Sequence, residues 1–359
     1  MNASQLKGAL LEYLVKRILI NCGFFPIKSD NLYTFNKGTR LYVNGRGAAH
    51  EADVLMEPPL QMPFGYPTRV LYECKAYEGL TSLSIVRNAL GLRLDINEFE
   101  IVTKSSLSKR KNNSRSEYAI EQRDRYIYQV GIASIYGFTK PAVEFAANNK
   151  IPLLSLQWIL DDSHLGMLKQ LNQEYIDQLD RNYLNNLFSF LTNSTPNQYY
   201  RDNFRYLFDA VYVEWVSNFL CTFEDNLKSL YVGLLESGDM IFLKAKDNNY
   251  HAYMSNTVHT SVLKARIHYQ INSLGKWELD IIRDNETISL AKFDFFVPDT
   301  IMKRWKESNF SRLEATAIKQ SYFARIFIYN HSENTNSPVT IVNVDSNWLA
   351  NLIRTEQRW

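Results

Sequence analysis

An alternation of helix-like and strand-like segments over the first 156 residues is the strongest constraint on the fold. Apolar residues recur at helical spacing over 4–20, where Ser4 is the predicted N-cap, and again over 81–100. A third helix is predicted after Thr139, with Pro141 in its first turn. Strands are predicted at 31–36, 39–44, 50–56, 69–75, 127–136 and 151–156. This order predicts an α/β core, in which helices cover a central sheet.

The length of 359 residues favours two domains, because one hydrophobic core rarely serves so long a chain. Residues 158–215 have a helical pattern that is interrupted over 193–197. We therefore predict an α/β domain over 1–160, a helical linker over 161–200 and an α+β domain over 201–359. Within the last domain, strands are predicted at 238–244, 261–272, 276–282, 286–297, 321–330 and 338–345, with helices near 299–319 and 346–355.

Composition and charge exclude several classes of protein. Hydrophobic residues make up 45% of the chain and charged residues 22%, which argues against a disordered or fibrous protein. No apolar run reaches the roughly 18 residues that a bilayer span needs, and Lys7, Glu12 and Lys16 interrupt any secretory signal. The three cysteines are too widely spaced for a disulfide framework or a cysteine zinc site. These features favour a cytoplasmic protein with no membrane partner.

Acidic and basic side chains gather at the ends of two predicted strands. Glu73 and Lys75 share one face of their strand, and the same parity places Glu51 and Asp53 together on the strand before it. Acidic groups on adjacent strands suit Mg²⁺ or Mn²⁺, which prefer oxygen ligands. Lys75 would then position and help to deprotonate a metal-bound water. A surface salt-bridge cluster is the alternative from spacing alone, although charges so close to apolar strands are costly without a metal.

Four sequence segments occur in a fixed order over the first 160 residues. They are Gly8-x-x-x-Glu12 followed by Cys22-Gly23-Phe24; His50-Glu51-Ala52-Asp53-Val54-Leu55; Tyr72-Glu73-Cys74-Lys75; and Phe138 to Ala146 running on to Ile151-Pro152-Leu153-Leu154. In these segments the chain resembles the Mrr-like restriction endonucleases of the PD-(D/E)xK nuclease superfamily. The resemblance implies a restriction-endonuclease-like fold, with a mixed central sheet flanked by helices and an active site where two strands diverge.

The same resemblance implies roles for individual residues. Asp53 and Glu73 match the metal-binding acids, Lys75 matches the catalytic lysine, and Glu12 matches the first-helix acid that often completes the site. The implied activity is Mg²⁺- or Mn²⁺-dependent endonuclease cleavage of DNA, in restriction or antiphage defence. The chain departs from the Mrr branch at Glu73, where that branch often carries Gln. Glu51 is a second candidate ligand, but Asp53 is the position that matches the family.

Other reactive side chains have simpler interpretations. Strand parity turns His50 away from Asp53, which favours a packed or hydrogen-bonded histidine, and turns Cys74 away from Lys75, which favours a small buried hydrophobe. Three later histidines match no helical metal pair: His251, His259 and His268. Because no G-x-x-x-x-G-K-[ST] motif occurs, nucleotide-driven translocation would need a separate ATPase subunit.

A basic stretch over 104–125 is the predicted contact with nucleic acid. We expect Lys109, Arg110, Lys111 and Arg115 to bind the phosphate backbone, most simply of double-stranded DNA, and a solvated surface segment is the alternative. The many aromatic residues after position 200 either fill a core or stack on bases.

Several functional alternatives stay open at this point. The second half has a role in target recognition, dimerisation with a second copy, or docking to a defence-system subunit. A catalytically silent nucleic-acid-binding or scaffold subunit, and a nuclease directed at RNA or junctions, are the alternatives to a DNA endonuclease.

Overall fold

The computed structural model describes residues 2–61, 65–99, 125–192, 214–256, 262–270, 273–282, 288–330 and 337–356. Its helices are α1 Ala3–Asn21, α2 Leu83–Asn97, α3 Lys140–Asn149, α4 Asp162–Gln170, α5 Gln173–Asp177, α6 Arg181–Thr192, α7 Glu214–Leu227, α8 Asn249–Asn256, α9 Asp299–Glu307, α10 Arg312–Tyr322 and α11 Ser346–Glu356. None of the helices in these ranges combines the length and apolarity needed to cross a bilayer.

The strands fall into a central sheet, a small sheet and a barrel. They are β1 Phe25–Pro26, β2 Thr34–Lys37, β3 Arg40–Asn44, β4 Ala49–Glu51, β5 Val54–Glu57, β6 Thr68–Lys75, β7 Ile127–Ser134, β8 Leu153–Ser155, β9 Leu230–Leu235, β10 Met240–Ala245, β11 Leu263–Gln270, β12 Ser273–Ile282, β13 Ser289–Phe296, β14 Arg325–Tyr329 and β15 Val339–Val344. The chain is therefore a mixed α/β protein, as the alternation of segments predicts.

The central sheet has the strand order β1-β5-β6-β7-β8 among the described residues. β5 runs antiparallel to β6, whereas β6, β7 and β8 run parallel to one another. The apolar face of α1 packs on one side of the sheet, and α2 and α3 pack on the other. Gly131 in β7 permits close packing here, because a Cβ at this position would lie 2.6 Å from Cε1 of Tyr72.

The N-cap of helix α1 lies two residues earlier than the sequence predicts. Asn2 is the N-cap: its side chain accepts a hydrogen bond from the Gln5 backbone N–H, and the Gln5 side chain accepts one from the Asn2 N–H. This reciprocal capping box satisfies two backbone donors that a helix start leaves unpaired. The predicted N-cap, Ser4, is therefore wrong, and it lies in the first turn instead.

The predicted strand over 50–56 is divided between two sheets. Its first part, β4, pairs with β3 in the small sheet β2-β3-β4, whereas its second part, β5, pairs with β6 in the central sheet. Ala52 and Asp53 form the connection between them. The prediction that strand parity holds Glu51 and Asp53 on one face is therefore wrong, because the two residues do not belong to one strand.

The second half contains a closed barrel with the strand order β10-β13-β12-β11-β15-β14-β9. Its pairs are antiparallel except for β11 with β15, and closure removes the exposed strand edges of an open sheet. Large aromatic residues fill the barrel and its ends, namely Tyr231, Tyr250, Trp277, Phe293, Phe295, Trp305 and Phe323. These residues serve the core rather than an exposed stacking surface.

The helices between the central sheet and the barrel pack against α1. Apolar residues of α1, α4, α6 and α7 belong to one buried cluster, which also includes Leu230 and Val232 of the barrel strand β9. At the edge of this cluster the guanidinium group of Arg17 donates two hydrogen bonds of 2.6 Å to the carboxylate of Glu224. The two halves thus share a core, and the division at 160 and 200 stays a prediction.

Candidate active site

The structure brings the four predicted catalytic residues together from three segments of the chain. Asp53 lies in the connection before β5, and Glu73 and Lys75 lie at the end of β6. Because Val54 pairs with Tyr72, Asp53 reaches the end of β6, and its Oδ2 accepts a hydrogen bond of 2.8 Å from the Cys74 N–H. Lys75 Nζ lies 3.1 Å from Glu73 Oε2. Glu12, on α1, interacts electrostatically with both Asp53 and Lys75.

The Glu12 carboxyl is held in surroundings that disfavour its charge. Burial, followed by the negative charge of Asp53, raises its pKa to about 7, although the charges of Arg40, Lys16 and Lys75 oppose the shift. A carboxyl with this pKa is partly protonated at neutral pH. A carboxyl with a perturbed pKa beside a second carboxylate and a lysine is typical of a functional site.

Asp53 and Lys75 also have shifted pKa values. Burial raises the pKa of Asp53, although the Cys74 N–H and the charge of Lys75 lower it in part. Burial alone would lower the pKa of Lys75, but the carboxylates of Glu73 and Asp53 more than offset this effect and raise it. The ammonium group of Lys75 therefore remains protonated beside the acids.

The donor atoms of this site suit a hard divalent cation with few protein ligands. Asp53 and Glu73 offer carboxylate oxygens, which Mg²⁺ and Mn²⁺ prefer. Across the described ranges, no three His, Cys, Asp or Glu side chains are grouped closely enough to hold a metal ion. Mg²⁺ commonly keeps several waters and takes one or two carboxylates, so two ligands suffice. A cation bound by Asp53 would offset the negative charge that helps to raise the pKa of Glu12.

Three neighbouring residues have other partners or a different environment. Glu51 pairs with Arg40 and accepts a hydrogen bond of 3.3 Å from the Tyr42 hydroxyl, so the structure does not bring it to Asp53 as a second ligand. His50 Nε2 lies 2.7 Å from Asp95 Oδ2, which confirms a hydrogen-bonded histidine. Cys74 packs against the core cluster of α1, and burial followed by the charges of Asp53 and Glu12 raises its thiol pKa well above the usual value.

Two cations near the site were not among the predicted residues. Lys16 lies four residues after Glu12 in α1, so helical spacing could have placed the two side chains together. Burial lowers the pKa of Lys16 to about 8, and Glu12 opposes this change. Arg40 lies on β3, and its charge acts on both Glu12 and Asp53. No sequence signal indicates Arg40, because β3 belongs to a different sheet.

The predicted nucleic-acid contacts are not in the described part of the chain. Lys109, Arg110, Lys111 and Arg115 all fall within 100–124, which lies outside the described residues. The first described residue after this range is Arg125, whose guanidinium carbon lies 5.5 Å from the ring centre of Tyr66.

The later histidines do not form a metal site among the described residues. His251 lies on α8, and His268, on β11, packs edge-on against Trp348 with ring centres 5.4 Å apart. His259 lies outside the described residues.

Comparison with known proteins identifies no family for this chain. No protein-family model matches it, and no curated protein matches it. Among solved structures, the crystal structure of the protein of unknown function AF1548 is similar in part, with 19% sequence identity and a TM-score of 0.31 over 51% of this chain and 78% of that chain. A likeness this low carries no argument about the fold or the activity of this chain.

Proposed function

We propose that this chain is a metal-dependent nuclease that hydrolyses phosphodiester bonds, with DNA as its substrate. The observation that carries the proposal is the convergence of Glu12, Asp53, Glu73 and Lys75 from α1, the β4–β5 connection and β6. Carboxylates and a lysine from separate segments seldom meet at a half-buried strand end without a chemical task, because their desolvation costs folding free energy.

Each residue has a distinct task in this proposal. Asp53 and Glu73 would hold Mg²⁺ or Mn²⁺, which when bound stabilises negative charge on a phosphate and lowers the pKa of a water. Lys75 stands next to Glu73 and orients the attacking water. Glu12, with a pKa of about 7, exchanges a proton near neutral pH and completes the acidic cluster.

A restriction-endonuclease-like fold is the finer part of the proposal. It is supported by a mixed sheet in which β5 and β6 are antiparallel and β6, β7 and β8 are parallel, with helices on both faces. The site lies where the chain leaves the small sheet for the central one, next to the end of β6. A role in restriction or antiphage defence rests on the sequence resemblance to Mrr-like endonucleases.

Incubation of the full chain with supercoiled plasmid, linear duplex DNA and single-stranded RNA tests the proposal. Each substrate is combined with Mg²⁺, Mn²⁺ or EDTA, and we expect DNA cleavage with either metal and none with EDTA. As a control, Lys169→Ala removes an exposed lysine of α4 far along the chain from the site and is expected to cleave as the wild type does.

The other outcomes separate the alternatives. Cleavage of RNA alone would point to an RNA nuclease with the same metal chemistry. Binding of nucleic acid without cleavage under every metal condition would favour the catalytically silent subunit and would contradict the proposed activity.

A further inference from the structure

A cleft lies between β8, the edge strand of the central sheet, and the barrel. Its volume is about 820 Å³, within the range of roughly 300–1,000 Å³ that is usual for small-molecule sites. Tyr72 of β6 and residues of α3 and β8 line one side, and residues of β10, β13 and α9 line the other. A molecule bound in this cleft would contact both halves of the protein.

Two buried hydroxyl groups in the wall of the cleft lack a hydrogen-bond partner. Tyr72 is 0% exposed and Ser155 is 7% exposed, and within the described part of the chain nothing pairs with either hydroxyl oxygen. Buried hydroxyls are nearly always paired in folded proteins, because an unpaired one has lost its water without compensation. The wall of this cleft therefore carries unused hydrogen-bonding capacity at two places.

The turn after β7 leaves room beside one of these hydroxyls. Gly137 has a φ of 93°, which favours glycine, and a Cβ at this position would lie 3.0 Å from Gln157 Nε2 and 3.4 Å from Ser155 Oγ. A side chain at Gly137 would therefore crowd the polar end of the cleft. The glycine therefore leaves the space beside the Gln157 amide and the Ser155 hydroxyl unfilled.

An exposed aromatic ring also lines the cleft. Trp158, which follows β8, is 48% exposed, and its ring stacks on Phe296 of the barrel strand β13 with ring centres 4.3 Å apart. The contact ties the two halves together and holds the indole in one orientation. A large planar ring in a fixed orientation is a suitable platform for stacking a nucleobase.

The charge of the lining favours an anionic ligand. Four lysines and two aspartates line the cleft: Lys150, Lys244, Lys276, Lys306, Asp239 and Asp294. Asp294 forms an ion pair of 2.8 Å with Lys276, so part of the negative charge is already neutralised. The other three lysines are exposed to solvent. Lysine is a common ligand of phosphate groups, and its excess here suits a phosphorylated molecule.

We propose that this cleft binds a nucleotide. The exposed lysines would contact its phosphates and Trp158 would stack on its base. The hydroxyls of Tyr72 and Ser155 are buried, so the wall must shift slightly on binding before they pair with polar atoms of the base or sugar. This proposal does not depend on the proposed nuclease activity, because the cleft residues are separate from Glu12, Asp53, Glu73 and Lys75.

Isothermal titration of the full chain with ATP, GTP, CTP and UTP tests the proposal. The titrations contain EDTA, so that no divalent ion can hold a nucleotide at the acidic cluster. We expect at least one nucleotide to bind. Its nucleoside and inorganic tripolyphosphate should each bind about tenfold more weakly or worse, because each lacks one of the two recognised parts.

Variants of the wall then place the ligand. Tyr72→Phe and Ser155→Ala should each weaken binding by about three- to tenfold, and combined Lys150→Ala and Lys306→Ala by about tenfold or more. Without nucleotide, Tyr72→Phe should keep or raise the melting temperature, because the hydroxyl it removes has no partner in the protein. If this hydroxyl served only to stabilise the fold, Tyr72→Phe would lower the melting temperature.

Matched controls lie outside the cleft. Tyr329→Phe removes the hydroxyl of another buried tyrosine, and Lys169→Ala removes another exposed lysine, and both should keep wild-type affinity. The proposal is overturned if none of the four nucleotides binds, if tripolyphosphate binds as tightly as they do, or if the cleft variants bind like the wild type.

Discussion

Charged side chains are arranged in opposite ways in the barrel and at the end of the central sheet. On the barrel, Lys246, which directly follows β10, pairs with Glu278 of β12 and Asp294 of β13, and Lys276 of β12 also pairs with Asp294. Burial alone would raise the pKa of Glu278, but its lysine partners more than offset this effect and lower it. Charges of both signs alternate there and stabilise one another.

At the end of the central sheet the carboxylates are not balanced in this way. Burial raises the pKa of Glu12 and of Asp53, so the charged forms of both residues cost folding free energy. Proteins rarely keep buried carboxylates that destabilise the fold unless these residues serve a function. The barrel charges stabilise the fold, whereas the unbalanced acidic cluster is the reason why we propose a catalytic task for it.

The largest expected effect comes from removing a metal-binding acid. Asp53→Ala or Glu73→Ala should reduce cleavage to background and weaken Mg²⁺ or Mn²⁺ binding, because each removes an anionic oxygen ligand. Cleavage assays and calorimetric metal titrations of the folded variants measure both effects. Glu236→Gln is the matched control, since that carboxylate pairs with Arg325 of the barrel strand β14 and should be dispensable for metal binding. Unchanged cleavage in both alanine variants would show that the acidic cluster is not catalytic and does not differ in this respect from the charges on the barrel.

Substitution of Lys75 should separate catalysis from metal binding. Lys75→Ala should lower the cleavage rate by about 10²–10⁴-fold while metal affinity stays close to that of the wild type, because the lysine aligns water rather than the metal. Lys75→Arg should rescue little, since a planar guanidinium differs in shape from the ammonium group and cannot occupy the same place. Single-turnover cleavage and metal titration are the measurements. A wild-type rate in Lys75→Ala would make this residue a structural partner of Glu73 only.

The basic stretch over 104–125 is the region that we expect to contact the nucleic acid. Combined alanine substitution of Lys109, Arg110 and Lys111 should weaken DNA binding for all sequences alike, because phosphate contacts carry no sequence information. The slope of log affinity against log salt should fall by about 0.9 for each lost contact with duplex DNA. Affinities measured from low to moderate salt test this. An unchanged slope would show that the nucleic-acid-binding surface lies on another part of the chain, such as the barrel.

The pH dependence of the unfolding free energy should show how far the ionised Glu12 carboxylate destabilises the fold. Its pKa rises from 4.5 in the unfolded chain to about 7 in the folded one, so the folded state binds more protons between these values. Stability therefore falls as pH rises through this window, and the ionised carboxylate is destabilising above it. Glu12→Gln should add about 1–3 kcal/mol of unfolding free energy at pH 8 and little at pH 5.

Urea denaturation in EDTA at the two pH values measures the Glu12 effect. Glu78→Gln is the control, because its side chain is 87% exposed and should give the same stability change at both pH values. If Glu12→Gln changed the unfolding free energy equally at pH 5 and pH 8, the ionised Glu12 carboxylate would not destabilise the folded state.

The smallest expected effect lies on the barrel. Lys246→Ala should reduce the unfolding free energy by about 0.2–1 kcal/mol, and high salt should diminish the loss, because the ion pairs it removes are partly exposed. Cleavage should not change. If this variant, assayed beside Lys75→Ala, also lost cleavage, residues of the barrel would belong to the active site as well.

Local elements of the fold could be predicted from the sequence. The helical spacing of α1 and α2, the start of α3 after Thr139 and the strands β6 and β7 all follow from patterns within a few neighbouring residues. The placement of Glu73 and Lys75 on one strand is equally local. These features are determined by short-range periodicity, which any sequence segment displays by itself.

Only the tertiary structure decided how these elements meet. The break at Ala52 and Asp53 depends on two sheets competing for one run of residues, and the approach of Glu12 to Asp53 depends on how α1 packs on the central sheet. Closure of the barrel needs β9 to pair with β14, almost a hundred residues later in the chain. The cleft beside Tyr72 exists only because the barrel packs next to β8. Such pairings between distant segments leave no periodic trace in the sequence, because their register is set by long-range packing.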